Sequence, residues 1–162
     1  MAQYNRCICN EVKPILSTMT DLPDFDLSRF TPYRLAVAAE RTSEELARQY
    51  RDRFGISIPE WRVLVHLAHS GDVSVRDIEA RVAMEKSKVS RAASRLEKSG
   101  LIRKDVNSGD RRLVSLALTE KGRALMVELL PLAQAYQDQL EARLAAAFAG
   151  FEGGLDRLLA ED

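Results

Sequence analysis

Ser87-Lys-Val-Ser-Arg-Ala-Ala-Ser-Arg-Leu-Glu-Lys-Ser-Gly-Leu-Ile102 decides how the rest of the chain is read. Val89, Ala92, Ala93 and Leu96 recur three and four residues apart, which puts them on one side of a helix over residues 86–99, with Gly100 as its stop. The other side carries Lys86, Ser87, Lys88, Ser90, Arg91, Ser94, Arg95 and Lys98. A helix in a major groove touches base edges through residues near its N-terminus, while flanking cations hold phosphate. Short hydroxyls at Ser87 and Ser90 allow close approach, Lys88 and Arg91 can reach guanine acceptors, and Arg95 and Lys98 are placed for phosphate. A plain solvated helix face has the same residue types, so the flanking sequence must decide.

Upstream, Ser74-Val-Arg-Asp77 has capping chemistry and opens a short helix with Val75, Ile78 and Val82 on its apolar side. A break at residues 83–85 separates it from the basic helix, and two short helices so joined form a helix-turn-helix pattern. Before these, Ser57-Ile-Pro-Glu60 is a capping box that starts a second helix over residues 59–69, with Trp61, Leu64, Val65 and Ala68 on one face and Gly71 at its end. A first helix over residues 31–54 carries Leu35, Ala39, Leu46 and Tyr50, with Pro32 near its start and Gly55 after it. Residues 1–30, with Pro14, Pro23 and an acidic run around Asp24 and Asp26, show no period and are expected as an irregular arm.

Downstream the period changes to two. A short strand ends near Val106, Asn107-Ser-Gly-Asp110 is turn chemistry, and Val114, Leu116 and Leu118 alternate as a half-buried strand does. The hairpin tip carries Asp110, Arg111 and Arg112: arginine on a thin loop suits a narrow minor groove, and Asp110 can fix its rotamer. Thr119 is the N-cap of a fifth helix running through Met126 and Leu129, which Pro131 either kinks or restarts. Over residues 134–159, Leu140, Leu144, Phe148, Phe151, Leu155 and Leu158 follow at helical spacing, and Gly153-Gly154 weakens the helix locally.

The chain has 162 residues, 46% hydrophobic and 30% charged, enough for one domain or one domain plus an appended element. No apolar run approaches the ~20 residues of a spanning helix, and residues 1–20 lack the apolar core of a secretory signal. Two cysteines make no disulfide framework, so a soluble, cytoplasmic protein is expected. Lys and Arg number 24 against 24 Asp and Glu, but the balance is uneven along the chain. Residues 1–70 are neutral, residues 71–123 hold 13 basic against 8 acidic side chains, and residues 124–162 hold 2 against 7. The basic excess coincides with the helix-turn-helix and hairpin, the footprint expected where a protein meets phosphates. Two histidines and two distant cysteines form no ligand set at metal spacing, and no phosphate loop, triad or paired-carboxylate motif appears, so neither an enzyme nor a metal or cofactor is expected.

The order of helices, helix-turn-helix and hairpin, with Asp110-Arg-Arg112-Leu-Val-Ser-Leu-Ala-Leu-Thr-Glu-Lys-Gly122, resembles the MarR family of winged-helix transcriptional regulators. The family pattern of Asp, any residue, Arg, then Leu-Thr and Gly is met by Asp110, Arg112, Leu118, Thr119 and Gly122, and residues 87–102 resemble its recognition helix and following strand. The resemblance covers about residues 31–160. It implies a mainly α fold with a small β-hairpin wing: an arm (1–30), a first dimerisation helix (31–56), a winged helix-turn-helix DNA-binding region (57–118) and C-terminal dimerisation helices (119–162). It further implies a homodimer on a pseudo-palindromic double-stranded DNA operator. Leu35, Leu140, Leu144, Phe148, Phe151, Leu155 and Leu158 supply more apolar surface than one small winged helix needs.

Members of the family commonly release DNA when a small, often aromatic or phenolic, anion binds between the dimer helices and the DNA-binding lobe. Tyr33, Arg34 and Arg41 on the first helix, with Trp61, Arg62, His66 and His69 on the second, are the candidates here. Some branches sense peroxide through a cysteine at the start of the first helix; Phe30-Thr-Pro-Tyr33 has none, and Cys7 and Cys9 lie in the arm. A redox-sensing regulator and a winged helix that binds protein instead of DNA are the competing readings.

Overall fold

A computed structural model describes residues 23–71, 73–74, 78, 84–106 and 114–160. Helix α1 spans Thr31–Phe54, with Pro32 in the first turn, where its missing N–H is not needed. A single turn of 3₁₀ helix, Leu27–Arg29, precedes it, capped by the Asp26 carboxylate. Helix α2 is Ile58–Ser70, opened by the Glu60 carboxylate reaching back to the Ser57 amide at 2.8 Å, as the capping box requires. Strand β1 is Val73–Ser74, and helix α3 is Lys86–Lys98. Strands β2 (Ile102–Val106) and β3 (Val114–Leu118) form an antiparallel hairpin in register from Ile102 opposite Leu118 to Val106 opposite Val114. Helix α4, Glu120–Leu144, runs through Pro131 without interruption, and α5 is Phe148–Leu159. Of the short helix expected over residues 74–82, Ser74 and Ile78 fall among the described residues, and of these Ile78 is helical and fully buried. The hairpin turn and Cys7 and Cys9 lie outside them.

Three elements depart from the sequence reading. Ser74 belongs to β1, which pairs with β3 through Val73 opposite Leu116, so the wing sheet has three strands in the order β1-β3-β2. Two residues are too short to show a period of two, and their only signature is tertiary. In α2, Glu60, Val63, Leu64 and Leu67 are buried, whereas Trp61 and Val65 are half-buried and Ala68 is exposed. That helix packs against α1, α3, α4 and β3, so its buried stripe is wide and rotated from the one expected. At the C-terminus the break falls at Ala145 (φ 47°), which a 3₁₀ turn over Ala145–Ala147 follows, while Gly153 and Gly154 continue as helix inside α5.

The core lies beneath α2. Val89, Ala92, Ala93 and Leu96 of α3 meet Val63, Leu64 and Leu67 of α2, closed from the sides by Ile102, Leu116, Leu118, Met126 and Leu129. Tyr50, stacked on Trp61 at 5.4 Å, carries this core into the end of α1. The N-terminal half of α1 and all of α5 contain no buried residue.

The end of α3 is joined directly to the start of α4. Leu101 N–H donates to Leu96 O across the left-handed Gly100 (φ 72°), which closes α3. The Thr119 hydroxyl accepts from Gly122 N–H at 3.0 Å and donates to Gly100 O at 2.7 Å, and the Lys121 ammonium donates to Ser99 O at 2.9 Å. Here Gly122 lies so close that a Cβ on it would stand 2.0 Å from Leu101 O. The Leu-Thr-x-x-Gly segment is thus a backbone-to-backbone contact that admits no side chain. Replacing Gly122 by Ala must move one backbone away from the other, and urea unfolding should show a loss of about 3 kcal/mol or more.

Candidate nucleic-acid interface

The two faces of α3 are cleanly separated. Val89, Ala92, Ala93 and Leu96 are at most 1% exposed, while Lys86, Ser87, Lys88, Ser90, Arg91, Ser94, Arg95 and Lys98 are all on the outside. Burying four small or branched apolar residues fixes which side of the helix is turned outward. Arg91 folds back over the first turn, donating from Nε to Ser87 O at 3.2 Å. Beside the helix, Lys104 of β2 pairs with Glu97 at 2.6 Å. Asp110, Arg111 and Arg112 of the wing tip lie outside the described residues.

Arg95 is not simply a solvated cation. Its Nε donates to Glu60 Oε1 at 2.9 Å, and the Glu60 side chain is only 10% exposed. The other carboxylate oxygen of Glu60 accepts from both the hydroxyl and the amide of Ser57. Burial by itself would raise the Glu60 pKa, but the Ser57 and Arg95 bonds outweigh it and hold the carboxyl below its usual range. Ser57-x-x-Glu60 announced the cap, but nothing in the sequence linked Glu60 to a cation 35 residues away.

A second cluster ties α1 to α4. Glu45 accepts from the Tyr136 hydroxyl at 2.8 Å and from Arg143 at 3.2 Å, and Arg53 pairs with Glu128 at 2.9 Å, so the two helices run antiparallel. The Tyr136 bond, helped by Arg143, keeps the Glu45 carboxyl low, and burial together with Glu45 pushes the Tyr136 phenol up to about 12. None of these residues stood out in the sequence.

Beside this cluster a cavity of about 720 Å³ opens between α1 and α5, walled by Tyr33, Arg34, Leu35, Arg41, Arg143 and Phe151 among others. The seven ligand candidates separate here. Tyr33, Arg34 and Arg41 line the cavity, but Trp61 packs against the core on Tyr50, Arg62 reaches Ser43 at 3.5 Å, and neither His66 nor His69 lines it. The seven apolar positions assigned to dimerisation remain unburied within one chain: Leu35, Leu140, Leu144, Phe148 and Leu155 are partly covered, Phe151 is 42% and Leu158 is 66% exposed. Among the described residues, no group of three His, Cys, Asp or Glu could hold a metal ion, and no helix is long and apolar enough to cross a membrane.

A sequence profile described as the MarR family matches residues 54–113. The structure superposes on the MarR family transcriptional regulator SPO1453 from Silicibacter pomeroyi DSS-3 with a TM-score of 0.73 and 30% identity, over 84% of this chain and 97% of that one. The chain belongs to the MarR family. A fold neighbour from the solved structures is BpsR of Bordetella bronchiseptica, at TM-score 0.74 and 24% identity over 86% of this chain and 99% of that one. The chain is also similar to the HTH-type transcriptional repressor MdtR of Bacillus subtilis, 33% identical over 79 residues; these are 49% of this chain and 51% of that repressor, so the chain spans about half that relative's length. The family and these relatives are transcriptional regulators, not enzymes, and α3 with the β2-β3 hairpin is the winged helix of this MarR-family chain.

The bonds to Glu60 favour its ionised form, which fixes the sign of a pH effect. The stability they supply is complete above the ordinary carboxyl value of 4.5 and is lost as pH falls through the lower value of the folded state. Acid unfolding followed by circular dichroism should therefore be less steep in that range for Glu60→Gln than for the unaltered protein.

Proposed function

We propose that this MarR-family protein is a sequence-specific DNA-binding transcriptional repressor that acts as a homodimer on a pseudo-palindromic operator and is released by a small aromatic anion. The observation that carries the reading is the two-sided α3, with its apolar face wholly buried and its serines and cations all outside. Lys86, Ser87, Lys88, Ser90 and Arg91 occupy its N-terminal turns, where a helix laid in the major groove meets base edges, and Arg95 and Lys98 flank the phosphates. Asp110, Arg111 and Arg112 would reach the minor groove from the wing tip.

Homodimerisation is supported by the unpartnered ends. α5 contains no fully buried residue; Phe25, Phe30 and Tyr33 are exposed at and before the start of α1, and Phe151, Leu158 and Leu159 are exposed on α5. Two such surfaces meeting about a two-fold axis would cover each other and set a pair of recognition helices one DNA turn apart. The cavity beside Tyr33, Arg34 and Arg41 opens on this surface, and its cations and aromatic rings suit a planar carboxylate. A ligand there lies against both helices that hold the protomers, so it bears on the spacing of the two α3 helices.

Fluorescence anisotropy with DNA from upstream of the protein's own gene tests the reading. Arg91→Ala should cost about 1–3 kcal/mol of affinity and relax discrimination at one base position, whereas Lys98→Ala should weaken all sequences alike and reduce the salt slope by about one. Absence of binding even at low salt would favour a winged helix that meets protein. Phe151→Asp with Leu158→Asp should turn a dimer into a monomer by light scattering. Benzoate-sized carboxylates should dissociate the DNA complex of the unaltered protein but leave that of Arg34→Ala/Arg41→Ala intact.

A further inference from the structure

Arg95 stands in the middle of a row of four cations, Lys88, Arg91, Arg95 and Lys98, spaced three, four and three residues apart along one side of α3. It differs from the others in having a nearly buried carboxylate behind it. Glu60 is held in place from behind: it sits in the first turn of α2, 10% exposed, with one oxygen bonded by the Ser57 amide and hydroxyl. Its remaining oxygen takes Arg95 at Nε, the nitrogen nearest the helix, while the Arg95 side chain as a whole stays 57% exposed. A guanidinium is a planar fork with five N–H donors, so a carboxylate bound at Nε orients the plane and leaves donors at its far end for a second anion.

We propose that Glu60 is a positioning residue for DNA binding, which aims the outer edge of the Arg95 guanidinium at a backbone phosphate. The inference rests on the DNA-binding reading above and adds a residue of α2 to it. An aimed arginine loses less side-chain freedom when phosphate arrives, which is how a negatively charged residue that touches no DNA can strengthen the grip on an anion. It also locks the recognition helix to the turn that follows α1, so the orientation of Arg95 is referred to the same frame as the helix itself.

The sign of one measurement decides the matter. By charge alone, Glu60→Gln removes a negative group beside the phosphates and should tighten DNA binding. Positioning requires the reverse: affinity measured well below the melting temperature should fall about three- to tenfold, the effect of a misaligned phosphate contact, with the dependence on salt nearly unchanged. Arg95→Gln should weaken binding by at least as much and reduce the salt slope by about one. In the Arg95→Gln background, Glu60→Gln should cause no further loss, and Arg95→Lys, which has no Nε fork, should not restore affinity. Unchanged or tighter binding by Glu60→Gln, or equal losses with and without Arg95, would overturn the assignment even if melting temperatures fall. Failure of the unaltered protein to bind DNA would instead overturn the DNA-binding reading itself, and Arg91→Ala in the same series separates the two.

Discussion

The contact between Gly122 and the Leu101 carbonyl is the constraint on which the arrangement of this molecule depends. Two backbones meet there with no side chain between them, and the Thr119 hydroxyl bridges the end of one helix to the start of the next. Because α3 ends and α4 begins at that point, the exposed basic helix and the long helix behind it are joined directly, backbone to backbone. The hairpin must leave and return within the span of the joint, since Leu101 precedes β2 and Thr119 follows β3. Ile102 opposite Leu118 is therefore the first rung of the sheet and a direct result of the joint.

The other supports of α3 differ in kind. Its buried apolar face against α2 supplies the energy, on the order of 1.5–3 kcal/mol for each large side chain taken from water. The ion pairs with Lys104 and with Glu60 are at least partly exposed, and pairs of that sort add ~0–1 kcal/mol. Their contribution is directional: with the joint at the end of the helix and the buried face beneath it, these two pairs hold the helix at its sides against rolling. A helix that reads a groove through a few side chains needs that more than it needs added stability.

Much of this architecture was legible in the sequence because it is written locally. Helical spacing of Val89, Ala92, Ala93 and Leu96, stop glycines and the Thr119 cap each occupy a few consecutive residues; the strand after Val114 was legible too, although Ala117 is buried between Leu116 and Leu118, so β3 is covered on both faces instead of alternating. The MarR resemblance rested on such segments, and the fold and family bear it out. What escaped was written between distant positions. The two-residue β1 exists only through its pairing with β3. The rotated face of α2 reflects packing on several sides at once, and Trp61, an aromatic beside cations in the sequence, turns out to be stacked on Tyr50. At the candidate site the exposed face of α3 was readable residue by residue, but the Glu60–Arg95 bond was not, because a capping box gives no indication of what its second oxygen will meet.

The links between α1 and α4 have a consequence for how the chain is made. Glu45 meets Tyr136 and Arg143 across 91 and 98 residues, and Arg53 meets Glu128 across 75. During synthesis α1 leaves the ribosome first, yet its partners arrive almost last, after the whole winged helix has emerged. At about 5–20 residues per second the interval is several seconds, ample for the intervening region to collapse on its own. Throughout that interval the C-terminal end of α1 can already pack on α2 through Tyr50 and Trp61, while the side that carries Glu45 waits for α4. The order of elements along the chain thus sets α1 and its α4 partners on either side of the winged helix, so the contact that joins them closes only after that region has formed.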